Sequence, residues 1–486
     1  MQNNSLYNIN QTKVTEDKLN TQMTTQSKIA RPSDDPVVAI RALRLRSSVT
    51  TIGQYYEKNA PDAKQWLTVT ADSLSTITTV VTDLYKQAEK ASDEELTAAD
   101  LNVIFDQISE LTDEVYATGN QDYAGRYIFT GYRTDTELTF KEDDTTPFTI
   151  KELLTIDDLS ENSYTNYDAI RTTTGLEDPT TTEQDIKSGT FYRLRLSYRD
   201  LDSDTLSFSY TDKDGNAQTI TAAPIDDPDT GYKQAIDGGA AAFLPKTGEV
   251  LLTKEQYESL KAVMDDGAEV EVEYGKSTWN KGDLNPVHYF DCTDTKSGIQ
   301  YNAGGEVDTK ITYDVGYNQQ IQVNTNASEV FFHDFARDVD DLKSALAKLT
   351  ELEELQTKVK NEAAKYEDES DPKYADLQRQ LDTVNKAYSY VRDQVQGMFE
   401  HQMTKYQNYL DGVNLAITQN GTRSSRLELI SDRLGGQKST FKELQEDNEG
   451  IEMTEVAVQL ASAELTYEAA LQATSKIMQN SLMNYI

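Results

Sequence analysis

The final segment of the chain repeats apolar residues at intervals of seven, and that spacing constrains the fold more than any other feature. Met453, Leu460, Tyr467, Thr474 and Ser481 form one series, and Val456, Ala463, Ala470, Ile477 and Asn484 form a second. Seven of these ten positions are apolar or aromatic, and the polar ones fall at the end. A stripe of this kind is a helix with a seam that a partner helix must cover. No later segment follows to cover it, so we expect an intermolecular seam.

The opposite end has a thinner version. Sixteen of residues 1–30 are Gln, Asn, Ser or Thr, yet Leu6, Ile9, Leu19 and Met23 share one helical arc. Such a stripe would hardly hold a lone helix in water. We therefore expect both ends, 1–35 and 451–486, to be disordered until assembled.

Between the ends, periodicity divides the chain into zones. Trp66, Thr70, Leu74, Ile77, Val81, Leu84 and Ala88 form a helical seam. Leu101, Ile104, Ile108, Leu111 and Val115 offer a candidate partner. Residues 36–133 and 326–450 read as a helical bundle, with Leu346, Leu349, Leu352 and Leu355 on one helix, a break at Asp371-Pro372, and Leu377, Leu381 and Val384 on the next. Residues 141–320 hold 14 of the 24 glycines and six of the ten prolines, so a β-rich domain is expected over 134–325. Leu206, Phe208 and Tyr210 alternate before the turn at Asp212–Asn216, which predicts a hairpin. Val270, Val272 and Tyr274, interleaved with three glutamates, predict a strand with an acidic outer face.

Charge narrows function. The net charge is −37 with 46 basic residues, and no basic cluster exists to bind nucleic acid or an anionic membrane surface. About half of that charge lies in 141–320, which carries 16 basic against 35 acidic residues. Cys292 is the only cysteine, so no internal disulfide can form. No 18-residue apolar run is present, and the first residues lack the basic and apolar regions of a cleavable signal.

Catalytic signals fail on spacing. Asp212, Asp214 and Asn216 lack the terminal glutamate of a calcium loop. Gly275-Lys276-Ser277 has Val270 where a phosphate loop needs glycine. His288 and Cys292 lack two further zinc ligands. No catalytic, cofactor-binding or metal residue is expected, and no enzyme.

Several motifs carry a resemblance. Arg31-Pro32-Ser33-Asp34-Asp35-Pro36, the segment Gly125-Arg126-Tyr127-Ile128-Phe129-Thr130-Gly131, and the closing helix from Thr466 to Tyr485 are similar to those of the bacterial flagellar hook-filament junction proteins. These are the hook-associated protein 3 family, relatives of flagellin. The resemblance implies a flagellin-like, mainly α fold with an inserted β-rich domain. Its N- and C-terminal helices would pair into an elongated bundle or coiled coil, with Leu6, Ile9, Leu19, Met23, Met453, Val456, Leu460, Ala463, Tyr467, Ala470 and Ile477 at the assembly interface. It also implies a secreted subunit of the flagellum, exported by the type III apparatus without a cleaved signal. The partners it implies are further copies of itself, hook-associated protein 1, flagellin and a cytosolic export chaperone. A flagellin, or a surface enzyme or glycan-binding protein using the insert, stands as an alternative. The helical hairpin at 340–395 exceeds the family pattern.

Overall fold

The computed structural model describes residues 2–93, 96–171, 182–305, 309–366 and 371–483, with the side chains of 2, 3, 5 and 171 and those from 477 onward left aside. In chain order come α1 (Gln2–Thr25), α2 (Pro36–Gln54), a π-helical turn (Tyr55–Asn59), α3 (Ala60–Ala91) and α4 (Ala98–Gly119). A small hairpin, β1 (Asp122–Tyr123) and β2 (Arg126–Tyr127), leads into the insert. The insert holds β3 (Phe148–Leu154), β4 (Leu159–Asn166), β5 (Lys187–Arg195), β6 (Leu206–Thr211), β7 (Ala217–Pro224), β8 (Ala242–Leu244), β9 (Glu249–Leu252), β10 (Val270–Lys276), β11 (Asp291–Asp294) and β12 (Ile299–Tyr301). A hairpin of β13 (Thr312–Gly316) and β14 (Gln319–Gln322) follows. Three long helices close the chain. We number them α5 (His333–Ala363), α6 (Pro372–Glu449) and α7 (Met453–Met483).

Two compact units emerge. One comprises 1–65, 312–321 and 423–486, and the other 66–311 and 322–422.

In the larger unit, all seven positions of the predicted α3 seam are fully buried. Asn420 on α6 donates its amide to Leu67 O at 2.8 Å, which fastens α6 to α3. The seam on α4 meets α5 rather than serving α3 alone, with Asn102 Nδ2 donating to Thr350 Oγ1 at 2.9 Å and Tyr116 OH to Phe332 O at 2.6 Å. Helix α4 starts cleanly because Thr97 and Asp100 form a capping box.

The insert is two sheets, ordered β10-β3-β11-β12 and β4-β5-β9-β8-β7-β6. Among the described residues only β7 and β8 pair in parallel, at Ala223 with Ala242. The predicted hairpin is β6–β7, with Leu206 opposite Ala222 and Phe208 opposite Ile220. Asp212 organises its turn by accepting from Asp214 N and Asn216 N at 3.0 and 2.8 Å. On β10, Val270, Val272 and Tyr274 are buried and Glu271 and Glu273 exposed, as period-2 alternation requires. One core unites both sheets around Ile150, Leu194, Val250 and Trp279, whose indole stacks on Phe140 and donates to Thr146 O at 2.8 Å.

The insert docks on α5 through buried charge. Arg195 reaches Asp338 at 2.5 Å, Asp334 at 2.8 Å and Asp341 at 3.3 Å, while Arg193 joins Asp341 at 2.8 Å and pairs with Glu249. Burial acts to raise the Asp341 carboxyl, but Arg193, Arg195 and Arg337 hold it at about 2. Lys405 on α6 completes the set at 2.7 Å from Asp338. The hairpin of α5 and α6 is thus a buttress for the insert.

Candidate assembly interface

The smaller unit brings the two chain ends together. A threonine-rich helix is a poor one, because side chains compete for backbone acceptors. In α1, Thr12, Thr15 and Thr21 each donate back one turn, at 2.9, 3.0 and 2.7 Å. Its support is α7, which lies along it. Gln26 adopts a left-handed φ of 54° and ends α1.

Next, the chain crosses its other end. Ser27 bridges Gly450 in antiparallel register, and Lys28 N donates to Glu449 O at 2.7 Å. Lys28 Nζ reaches Asp447 O at 2.9 Å. A Cβ on Gly450 would stand 2.5 Å from Glu446 O, so glycine alone fits this junction between α6 and α7. Because α1 arrives where α7 departs, the two helices run antiparallel.

The motif at 31–36 is the hinge of this crossing. Asp34 accepts from Ala30 N and Arg31 N at 3.0 and 2.8 Å, and these bonds lower its carboxyl pKa, Arg31's contribution being the larger. Asp35 caps α2 by accepting from Val37 N and Val38 N at 3.0 and 3.1 Å. Pro36 occupies the first helical position, where its missing N–H costs nothing. The exposed Arg31, Pro32 and Ser33 complete the turn. Farther on, Arg46 forks onto Glu449, whose hydrogen bond raises the Arg46 pKa, and Asn448 donates to Val38 O at 3.2 Å.

The candidate interface residues divide by exposure. Leu19 and Val456 are buried; Ile9, Met23, Leu460, Ala463, Tyr467 and Ala470 are half-buried; Leu6 and Met453 are exposed. The Ile477 side chain lies outside the described residues. Val456, Leu460, Ala463, Tyr467 and Ala470 are thus at least half-buried on the helix that packs along α1, while Met453 stays exposed. The expectation of an intermolecular seam did not count α1, which the crossing at Ser27 and Gly450 brings alongside α7 in the same chain. Sequence reasoning also missed a second stripe. Val458 and Leu465, seven apart on α7, are each 70% exposed, and Tyr7 and Val14, seven apart on α1, are each 64% exposed. The same spacing of seven would have revealed them. Exposed apolar side chains repeating on one helix face suit contact with further helices.

In the other unit, Gly125 and Ala124 at positive φ turn the β1–β2 hairpin, and Arg126 lies 4.8 Å over the Trp66 ring. Tyr127 N donates to Thr134 O at 2.9 Å, and Phe129 packs edge-on against Phe331. Gly131, at φ 58°, leaves no space for a Cβ, which would fall 1.8 Å from Thr309 Oγ1. Among the described residues no group of His, Cys, Asp or Glu is placed to hold a metal ion, and no helix is long and apolar enough to cross a membrane.

Comparison with known proteins places these elements. Residues 1–134 match the model of the bacterial flagellin N-terminal helical region. Flagellar hook-associated protein 3 of Escherichia coli is 32% identical over 120 residues, which are 24% of this chain and 38% of that protein. The Salmonella typhimurium protein of the same name is 29% identical over 119 residues, 24% of this chain and 37% of its own. The match thus spans little more than a third of these curated relatives. A crystal structure of Xanthomonas campestris FlgL covers 83% of this chain and 99% of its own at 12% identity, with a TM-score of 0.31. The N-terminal sequence match, not that superposition, carries the relationship.

Proposed function

This chain resembles the flagellar hook-associated protein 3 family through a flagellin-type N-terminal helical region at residues 1–134, and from that premise we propose that it is a structural adaptor joining hook to filament. Assembly would proceed by coiled-coil contact between the terminal helices of neighbouring copies, repeated around an axis. The observation that carries this reading is the pair of exposed apolar repeats, Tyr7 and Val14 on α1 and Val458 and Leu465 on α7, left open although the two helices pack together. Leu6, Met453 and Ile477 extend the candidate interface. In this reading 1–35 and 451–486 order on assembly, 36–133 and 326–450 form the supporting bundle, and 134–325 is a solvated surface domain.

The partners are then further copies, hook-associated protein 1 on the hook side, flagellin on the filament side, and an export chaperone in the cytosol. The subunit leaves through the flagellar type III apparatus without a cleaved signal, and works outside the cell with no reaction to catalyse. A filament-building flagellin is the second reading, supported by the family model's own description. Deletion of the gene separates them. Cells that retain hooks but shed flagellin monomers support the adaptor. Purified protein that polymerises alone into long filaments supports the flagellin and overturns the adaptor.

A further inference from the structure

A cleft of about 200 Å³ opens in the larger unit between α4, α5 and two insert loops at 197–199 and 280–284. Its acids and bases are unevenly matched. Arg199 donates to Asp340 at 2.5 Å, and Asp283 accepts from Asn280 N at 2.9 Å while lying 3.9 Å from Lys276 Nζ. Asp113, Lys281 and Lys343 remain at the rim, all exposed; Lys281 acts on Asp113 only through charge at longer range, and Lys343 has no salt bridge among the described residues. The mouth therefore has one more positive charge than negative, in a protein of net charge −37. Polar acceptors and donors, Ser109 and Asn280 among them, line the walls, and Phe105 and Leu284 supply apolar floor. Thr112, His333 and Arg337 also line the cleft, and their Oγ1, Nε2 and Nε atoms are buried and find no hydrogen-bond partner among the described residues. Three such orphans around one cleft mark a place where bridging water or a ligand hydroxyl completes the network.

We propose that this cleft binds one sugar ring bearing a carboxylate, a hexuronic acid residue. Its carboxylate pairs with Lys281 and Lys343, and its ring hydroxyls bond Asp113, Asp283, Ser109 and Asn280. Neighbouring hydroxyls are donors and acceptors at once, which suits a wall that mixes carboxylates with cations. The small volume admits a single residue, free or terminal on a polysaccharide.

The test titrates the full chain with galacturonate, galactose and inorganic phosphate, read by calorimetry and saturation-transfer NMR. Galacturonate should bind, galactose about tenfold more weakly, and the double variant K281A/K343A should lose at least about tenfold in affinity, which is about 1.4 kcal/mol. Both lysines are exposed, so the variant should fold, and a parent-like melting curve checks this. The surface variant K254A should bind as the parent does. No galacturonate binding, equal binding of phosphate, or full affinity in the double variant would each overturn the proposal.

Discussion

Arg46 and Glu449, 403 positions apart, meet as a forked ion pair, with Arg46 Nε 2.9 and 3.0 Å from the two carboxylate oxygens. Glu449 is the last residue of α6 and is nearly buried, whereas the Arg46 side chain is half-exposed. The pair therefore locks α2 to the base of the arm crossing. Glu449→Ala should cost about 1.5–3 kcal/mol, the range for hydrogen bonds to charged groups. Urea unfolding followed by circular dichroism measures it, and an unchanged midpoint would assign the crossing to other contacts.

Gly450 makes a sharper prediction. Gly450→Ala drives a methyl against Glu446 O, a backbone atom that cannot move aside cheaply. The junction between α6 and α7 should open, at a cost of about 2 kcal/mol. Amide exchange at Lys28, whose N–H bonds Glu449 O, should accelerate with it.

The insert should weaken as pH rises. Burial pushes the Glu152 carboxyl up to about 7 against the opposing bonds from Ser197 and Tyr274. It accepts from Ser197 Oγ and Tyr274 OH, each at 2.6 Å. The folded state therefore binds this proton more tightly than the unfolded chain does. Its stabilising contribution is complete below the ordinary value of 4.5 and is lost as pH rises to about 7. Burial likewise raises Asp158, to about 6, so it acts in the same direction. Melting curves of the parent should fall across this window, and Glu152→Gln should flatten the fall. A parent curve flat from pH 5 to 8 would contradict the account.

Arg195 should be the most costly single residue of the insert's docking. Arg195→Met removes the cation that Asp338 and Asp341 share, leaving Asp338 to Lys405 and Asp341 to Arg193. Breaking a buried pair from one side costs about 3–5 kcal/mol. Asp334 is the most exposed of the three partners, so Asp334→Asn should cost less. Thermal unfolding compares the two.

Local signals were legible wherever the period was strict. The α3 seam, the β6–β7 hairpin and the alternation on β10 all followed from spacing, because each records which side chains face inward. The turn at 31–36 was legible as a helix start, since Asp35 and Pro36 act on the next few residues only. What spacing could not tell was which surfaces meet. The crossing of Lys28 with Glu449 joins segments more than 400 positions apart. The clamp on α5 depends on Arg193 and Arg195 projecting from a strand, where their charge reads as an ordinary solvated face. In α7, the inner seam and the outer stripe share one period, so the sequence could reveal a seam without saying which partner covers it.

In the proposed role this subunit would sit between hook and filament. Immunogold labelling of isolated flagella with an antibody to the insert tests it directly. The account predicts label confined to a narrow band at the filament base. Label distributed along the filament would contradict it.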